Sequence, residues 1–204
     1  MAGAAGLLSV TGVLAAAATA SAGTAAPGSS KTITVKYPVN GSTYLKKVQA
    51  TAKLGPGTLT SKVNLDTGKL TASLKLPDAT VSFKQAGVVP VTATTEFVQD
   101  GKTTGQVNTK TGGVTTTSKV TLKLVSLTMA GVPVPVPSGC ESGSPASVKL
   151  RSEKGFSIIK GGKVAGTYTI PKFAHCGLLT PLLNITIPGS GNTITLKLRA
   201  AKLA

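Results

Sequence analysis

The sequence predicts an all-β fold, a single-domain antiparallel sandwich or flattened barrel of about ten strands closed by one disulfide. Three observations predict it. Threonine, valine and glycine dominate the chain, whereas the helix formers Glu, Gln and Met are scarce. From Lys31 onward, apolar residues recur at every second position, and turn residues separate these runs. No stretch shows the period of about 3.6 residues that marks a helix.

The first 22 residues predict a secretory signal peptide. Residues 1–22 are uncharged and mostly apolar, and they end in the small residues Ala20-Ser21-Ala22, a pattern typical of a cleavage site. The apolar run is too short for a membrane anchor. The basic residue that normally begins a signal peptide is missing, and an ordinary N-terminal helix is the alternative. Residues 23–30 are expected to be a flexible leader, and residues 31–204 the β domain.

The only two cysteines, Cys140 and Cys176, are predicted to form a disulfide, because an exported chain meets an oxidising environment. Two buried free thiols or a metal site are the alternatives. A metal site needs more than these thiols and His175, and adjacent His and Cys are poorly spaced as ligands. The sequence therefore predicts no metal and no cofactor.

The chain is strongly basic, with 22 Lys or Arg residues against six acidic ones and a net charge of +16. Arg151 and Arg199 are the only arginines, and aromatic residues make up 3% of the chain. Nucleic-acid binding relies on arginine forks and aromatic stacking, so no nucleic acid is expected as a partner. Evenly spread lysines indicate either a solvated surface with protected strand edges or attraction to an anionic cell-wall polymer or membrane surface.

The strands and turns follow in order. The alternation of Ile33, Val35 and Tyr37 predicts a first strand, and Asn40-Gly41 and Gly55-Pro56-Gly57 predict turns on either side of a second. The clearest hairpin joins Leu59–Leu65 to Lys69–Leu76. The later strands expected are Val89–Gln99, Lys102–Thr109, Val114–Met129, Val148–Arg151, Lys163–Ile170 and Thr193–Arg199.

Three local features qualify this order. Asp100-Gly101 predicts a two-residue hairpin turn. Val132–Pro137 has proline at alternate positions and is expected to be an edge or an extended connector. Leu178–Leu183 is long enough for one helical turn, which Pro181 limits.

An internal repeat links two segments. Residues 57–71 align without gaps on residues 101–115, sharing the frame Val-Asn-x-x-Thr-Gly. We interpret the repeat as one hairpin used twice, in which Asn bonds locally and Gly takes a positive φ.

Catalytic signals are few. His175 is the only histidine, and Glu141 is the acid least explained by a turn, so these two residues are the catalytic candidates. There is no Gly-x-Ser-x-Gly motif, and residues 139–143 have the wrong order. A structural role for His175 beside the disulfide is the alternative. The chain is therefore expected to be non-catalytic rather than an enzyme.

Two aliphatic segments lie outside strand alternation, Val132–Val136 and Leu178–Leu183. Such segments either line a cavity or form an exposed patch that binds an apolar ligand, or they close the ends of the β core. A filled core would exclude a lipid ligand, and a long aliphatic pocket would favour one.

The segment Gly166–Asn184, Gly-Thr-Tyr-Thr-Ile-Pro-Lys-Phe-Ala-His-Cys-Gly-Leu-Leu-Thr-Pro-Leu-Leu-Asn, is followed by Ile-Pro-Gly-Ser-Gly-Asn-Thr. It resembles the C-terminal signature of small secreted proteins from high-GC Gram-positive (actinobacterial) bacteria, and the resemblance covers the last third of the chain. Some small secreted proteins of these bacteria carry a cholesterol-esterase label, which implies a secreted lipid-ester hydrolase as an alternative function. No catalytic residue is carried over, because no nucleophile motif matches.

The sequence thus predicts a secreted binding protein of the cell envelope or extracellular space, either free or associated with the cell wall. Its expected ligand is an anionic wall polymer or a lipid. A lipid-ester hydrolase that uses His175 and a purely structural surface protein are the alternatives.

Overall fold

The computed structural model describes residues 31–203, so the predicted signal peptide and leader lie outside the described residues. The described chain forms thirteen strands, a 3₁₀ turn at Gly177–Leu179 and one helix, α1 (Thr180–Thr186). The strands are β1 (Thr32–Leu45), β2 (Ala50–Asn64), β3 (Lys69–Lys75), β4 (Ala79–Gln85), β5 (Val89–Val107), β6 (Val114–Met129), β7 (Val132–Val134), β8 (Glu141–Ser142), β9 (Ala146–Ser152), β10 (Gly162–Ile170), β11 (Phe173–Ala174), β12 (Gly189–Leu198) and β13 (Lys202–Leu203).

Eight of these strands close into a barrel. The order β6-β9-β10-β12-β1-β2-β3-β5 returns to β6 because β5 and β6 also pair, and every pairing is antiparallel. The other five strands lie outside the ring: β4 on β5, β7 and β8 on β6, β11 on β8, and β13 on β1. The predicted all-β class is confirmed. Of the two predicted architectures, the structure has a barrel and not a sandwich; the described chain has thirteen strands instead of about ten, and eight of them form the closed barrel.

Three predicted turns are wrong, because in each case one strand continues through the predicted turn residues. Asn40-Gly41 lies inside β1, opposite Gly55-Pro56-Gly57 inside β2, where the register shifts. Asp100-Gly101 lies inside β5 at another register shift. Long strands must bend to close a barrel, and bulges containing glycine supply that bend. The actual turn between β1 and β2 is residues 46–49, which contain neither Gly nor Pro.

Four strand glycines make room for the backbone of a neighbouring strand. A Cβ atom would overlap a carbonyl oxygen of the next strand at Gly41, Gly57, Gly105 and Gly166. These positions fall on β1, β2, β5 and β10, so they are distributed around the ring. Glycine at such sites allows the close approach that a strongly coiled barrel requires.

The internal repeat is confirmed as one hairpin turn used twice, between β2 and β3 and between β5 and β6. The side chain of Asn64 accepts hydrogen bonds from the backbone N–H groups two and three residues on, at 3.0 and 2.8 Å. Asn108 does the same at 3.0 and 3.0 Å. Gly68 and Gly112 then take φ values of 69° and 71°. Both turns lie at the same end of the barrel, which we call the hairpin end.

The opposite end, which we call the helix end, carries α1. The helix is longer than the single turn predicted, because Pro181 stands in its first turn, where a missing N–H costs nothing. The Pro-rich segment contributes the outer strand β7, which pairs only with β6, as expected of an edge. The predicted strand Val114–Met129 is β6.

Candidate functional site

The barrel interior is not completely filled. At its centre lies a cavity of about 70 Å³ to which all eight barrel strands contribute side chains. Its wall is mostly aliphatic and includes Leu54, Leu74, Val120, Val148 and Leu196. This cavity is the middle member of a row.

A second cavity, of about 80 Å³, lies toward the hairpin end and shares Leu74, Leu150 and Leu196 with the central one. Phe156 and Ile158, in the loop between β9 and β10, close it from outside. The loop therefore acts as a plug at this end.

A third cavity, of about 50 Å³, lies toward the helix end and shares Phe97, Leu122 and Tyr168 with the central cavity. Phe83 and Ile187 line this cavity and also a gap of about 20 Å³ beneath α1. The row therefore runs along the barrel axis from the Phe156 plug to the underside of α1.

Three interactions hold α1 over the helix end. The disulfide between Cys140 and Cys176, which confirms the predicted pairing, fixes the chain just before the helix. The side-chain amide of Asn184 accepts a hydrogen bond from the N–H of Phe173 at 2.7 Å and donates one to its carbonyl at 3.0 Å. Leu183 is buried against the barrel.

The few polar side chains inside the barrel bond to one another or to the backbone. The hydroxyl groups of Tyr168 and Thr43 lie 2.6 Å apart, and so do those of Thr103 and Ser118. Gln99 bonds to the backbone of β3. In the described part of the chain, no buried side-chain N or O atom lacks a partner. The interior wall is therefore mostly apolar, and its polar groups already have hydrogen-bond partners within the protein.

The two interior tyrosines are held neutral. Burial raises the pKa of Tyr37 to about 12, and its hydroxyl donates to the carbonyl of Ile158 in the plug at 2.6 Å. Burial also raises the pKa of Tyr168, which the hydrogen bond with Thr43 opposes. No Lys, Arg, His, Asp or Glu side chain lines the three cavities, so their wall carries no charge at neutral pH.

The catalytic candidates lie outside these cavities. His175 is exposed and has a positive φ of 57° next to the disulfide. Glu141, on β8, is half-buried and pairs in register with Ala174. The neighbouring Ser142 is buried, and its hydroxyl accepts the N–H of Leu122 at 3.1 Å. Within residues 31–203, no side-chain hydrogen bond joins His175 or Glu141 to another group, so no nucleophile–base pair is assembled.

No group of three or more His, Cys, Asp or Glu side chains in the described range is placed to hold a metal ion. No helix of residues 31–203 has the length and apolar character needed to cross a membrane.

The cavity-lining residues are the part of the site that the sequence did not indicate. Alternation predicts which side chains of a strand point inward, but not whether they fill the space between strands. The composition did contain a signal for incomplete filling. With no Trp, three Tyr and four Phe, the interior of an eight-stranded barrel must be filled mostly by small and aliphatic residues. The aliphatic segment Leu178–Leu183 helps to close the helix end through Leu182 and Leu183.

Comparisons with known protein families, with characterised proteins and with solved structures find no match to this chain. The function is therefore inferred from the geometry of the barrel.

Proposed function

We propose that this chain is a secreted, non-catalytic binding protein whose ligand is a lipid with a single alkyl chain, held inside the barrel. The observation that carries the proposal is the row of three apolar cavities along the barrel axis. Apolar cavities of this kind stay dry and take up apolar ligands. Burial of the chain would supply about 25 cal/mol per Å² of apolar surface.

The shape of the row favours a flexible chain over a rigid ring system. Each cavity measures about 50 to 80 Å³, whereas an engineered apolar cavity that holds benzene measures about 150 Å³. Between the cavities lie side chains such as Phe97 and Tyr168, which narrow the path. An alkyl chain passes such necks after small side-chain rotations, and a fused-ring sterol does not.

Two features support export. The disulfide between Cys140 and Cys176 is typical of an oxidising, extracellular-type compartment. The apolar N-terminal segment ends in small residues, so we propose cleavage after Ala22. The processed chain keeps the whole barrel, because its first strand begins at Thr32.

Binding of cis-parinaric acid, a fluorescent straight-chain fatty acid, to the processed chain tests the proposal. We expect saturable fluorescence enhancement in the absence of membranes. Ala146→Leu adds a bulky side chain in the central cavity, so we expect it to lower binding at least about tenfold. Ala200→Leu is the matched control, because Ala200 is exposed in the segment after β12.

Thermal unfolding of both variants separates a filled cavity from a misfolded barrel. A folded protein that does not take up the fatty acid would refute the proposal. Salt-sensitive retention on purified cell wall would then favour the anionic polymer as ligand. Release of fatty acid from a lipid ester would favour the hydrolase, and its loss in His175→Ala would assign the base.

A further inference from the structure

We propose that the helix end of the barrel docks onto the surface of a lipid bilayer with anionic headgroups. This inference goes beyond ligand binding, because it concerns the outer surface and holds whether or not the cavities are occupied. The 3₁₀ turn at Gly177–Leu179 and α1 together form what we call the cap. The inference rests on the apolar outer face of this cap and on the charges around it.

The outer face of the cap is apolar throughout. Leu178, Pro181 and Ile185 are spaced by three and four residues, so they lie along one side of the 3₁₀ turn and α1. Leu178 is 100% exposed and Ile185 is 71% exposed. A helix on a globular protein normally presents polar residues to water on this side and apolar ones inward, as Leu183 does here.

Neighbouring turns extend this apolar face. Val88, in the turn between β4 and β5, is 74% exposed, and Val132, just after the turn between β6 and β7, is 63% exposed. Ile185 and the β4–β5 turn line one open depression of about 360 Å³. Isolated exposed apolar residues are common, but several grouped at one end mark an interaction surface.

The charged side chains that line this depression are both positive. Lys46 and Lys47, in the β1–β2 turn, and Lys84, at the end of β4, are exposed, and Lys47 and Lys84 line the same depression as Ile185. Residues 176–188 carry no charge. None of the six acidic residues lines the depression; Glu141 is the one nearest to the cap, because it follows Cys140 and pairs with Ala174.

This combination fits a bilayer surface better than a second protein. Apolar side chains enter the boundary between headgroups and acyl chains, and lysines beside them bind the headgroup phosphates. A second copy of this chain also carries a net charge of +16, with the same lysines at its helix end, so the two copies would repel each other. The hairpin end differs, because Asp66 and Glu153 stand there among its lysines.

Co-sedimentation of the processed chain with vesicles tests the inference. We expect binding to vesicles of phosphatidylglycerol and phosphatidylcholine, weaker binding at high salt, and little binding to phosphatidylcholine alone. The triple variant Lys46→Gln, Lys47→Gln, Lys84→Gln should bind about fivefold less tightly for each lysine removed. The matched control removes the same charge at the hairpin end, through Lys110→Gln, Lys154→Gln and Lys160→Gln.

A second pair of variants tests the apolar contacts. Ile185→Asn should weaken binding to the anionic vesicles, and Ile159→Asn should not, although Ile159 is itself 54% exposed at the hairpin end. All eight substituted residues are on the surface, so folding is retained, and thermal unfolding without vesicles checks this independently. Equal losses in the two triple variants would overturn the inference. The inference would also be overturned if the protein did not bind vesicles but formed a concentration-dependent dimer that Ile185→Asn dissociates.

Discussion

The hydroxyl group of Tyr37 joins the barrel wall to the plug at the hairpin end. It donates to the carbonyl of Ile158, and burial raises its pKa to about 12 from an ordinary value of 10.0. The folded state therefore holds the neutral phenol to a higher pH than the unfolded chain does. Stability contributed in this way is complete below pH 10.0 and is lost as the pH rises to about 12.

We predict that the free energy of unfolding falls between pH 10.0 and about 12, by up to about 1.4 kcal/mol per pH unit from this residue. Tyr37→Phe should cost about 1 kcal/mol at neutral pH through the lost hydrogen bond and should flatten the alkaline fall. Urea unfolding across the pH range measures both. Part of the fall in stability at alkaline pH should remain in Tyr37→Phe, because burial raises the pKa of Tyr168 too. Identical slopes in the two proteins would contradict the assignment.

Gly166 shows how a single residue decides whether two strands meet. A Cβ atom there would overlap the carbonyl of Lys149 on β9, which is backbone and cannot turn away. We predict that Gly166→Ala destabilises the protein by about 2 kcal/mol or more. Gly139→Ala should stay within about 0.5 kcal/mol, because its Cβ would lie 3.7 Å from the nearest atom. Denaturant unfolding compares the two, and equal costs would refute the close-approach explanation.

At the scale of elements, local patterns predicted some features and misled on others. The β2–β3 turn was predictable because Asn64 and Gly68 satisfy the turn within five residues. Asn40-Gly41 and Asp100-Gly101 contain the same kinds of residue, yet they form bulges, because pairing with distant strands such as β12 overrides local turn preference.

The helix α1 was predictable only as a short turn, since its stability comes from partners remote in sequence. We predict that replacing both disulfide cysteines, Cys140→Ser with Cys176→Ser, costs about 3–4 kcal/mol. The loss should appear first as faster amide hydrogen exchange in residues 177–186. Asn184→Ala should speed exchange in the same residues with the disulfide intact, because it removes both bonds to Phe173. Faster exchange spread evenly over the barrel strands would contradict a role specific to α1.

At the scale of the whole molecule, the sequence could indicate a β sandwich or a flattened barrel with a disulfide, but not which strands close the ring. Closure depends on β5, which pairs with β4 along its first part, with β3 along its second part and with β6 along most of its length. No local pattern encodes such shared pairing. The cavities follow from the closed ring, and the central one lies where side chains from all eight barrel strands fail to fill the space between them.

The row of cavities predicts an order among ligands of different chain length. Each cavity has at least one buried alanine in its wall: Ala72 toward the hairpin end, Ala146 at the centre, and Ala93, beside Ala52 and Ala79, toward the helix end. Replacing each with leucine adds the same atoms at three depths. Such overpacking costs about 1–3 kcal/mol in stability at each site, so the three variants form a matched set.

If the ligand enters at the docked helix end, the three variants must differ in a graded way. Ala72→Leu should leave short fatty acids bound and exclude only the longest, because it fills the far cavity. Ala146→Leu should lower that limit further, and Ala93→Leu should abolish binding at every length. Isothermal titration calorimetry with saturated fatty acids of increasing length measures the limits directly, with Ala200→Leu as control. The reverse order would place access at the Phe156 plug, and limits unchanged from wild type would show that the alkyl chain lies elsewhere.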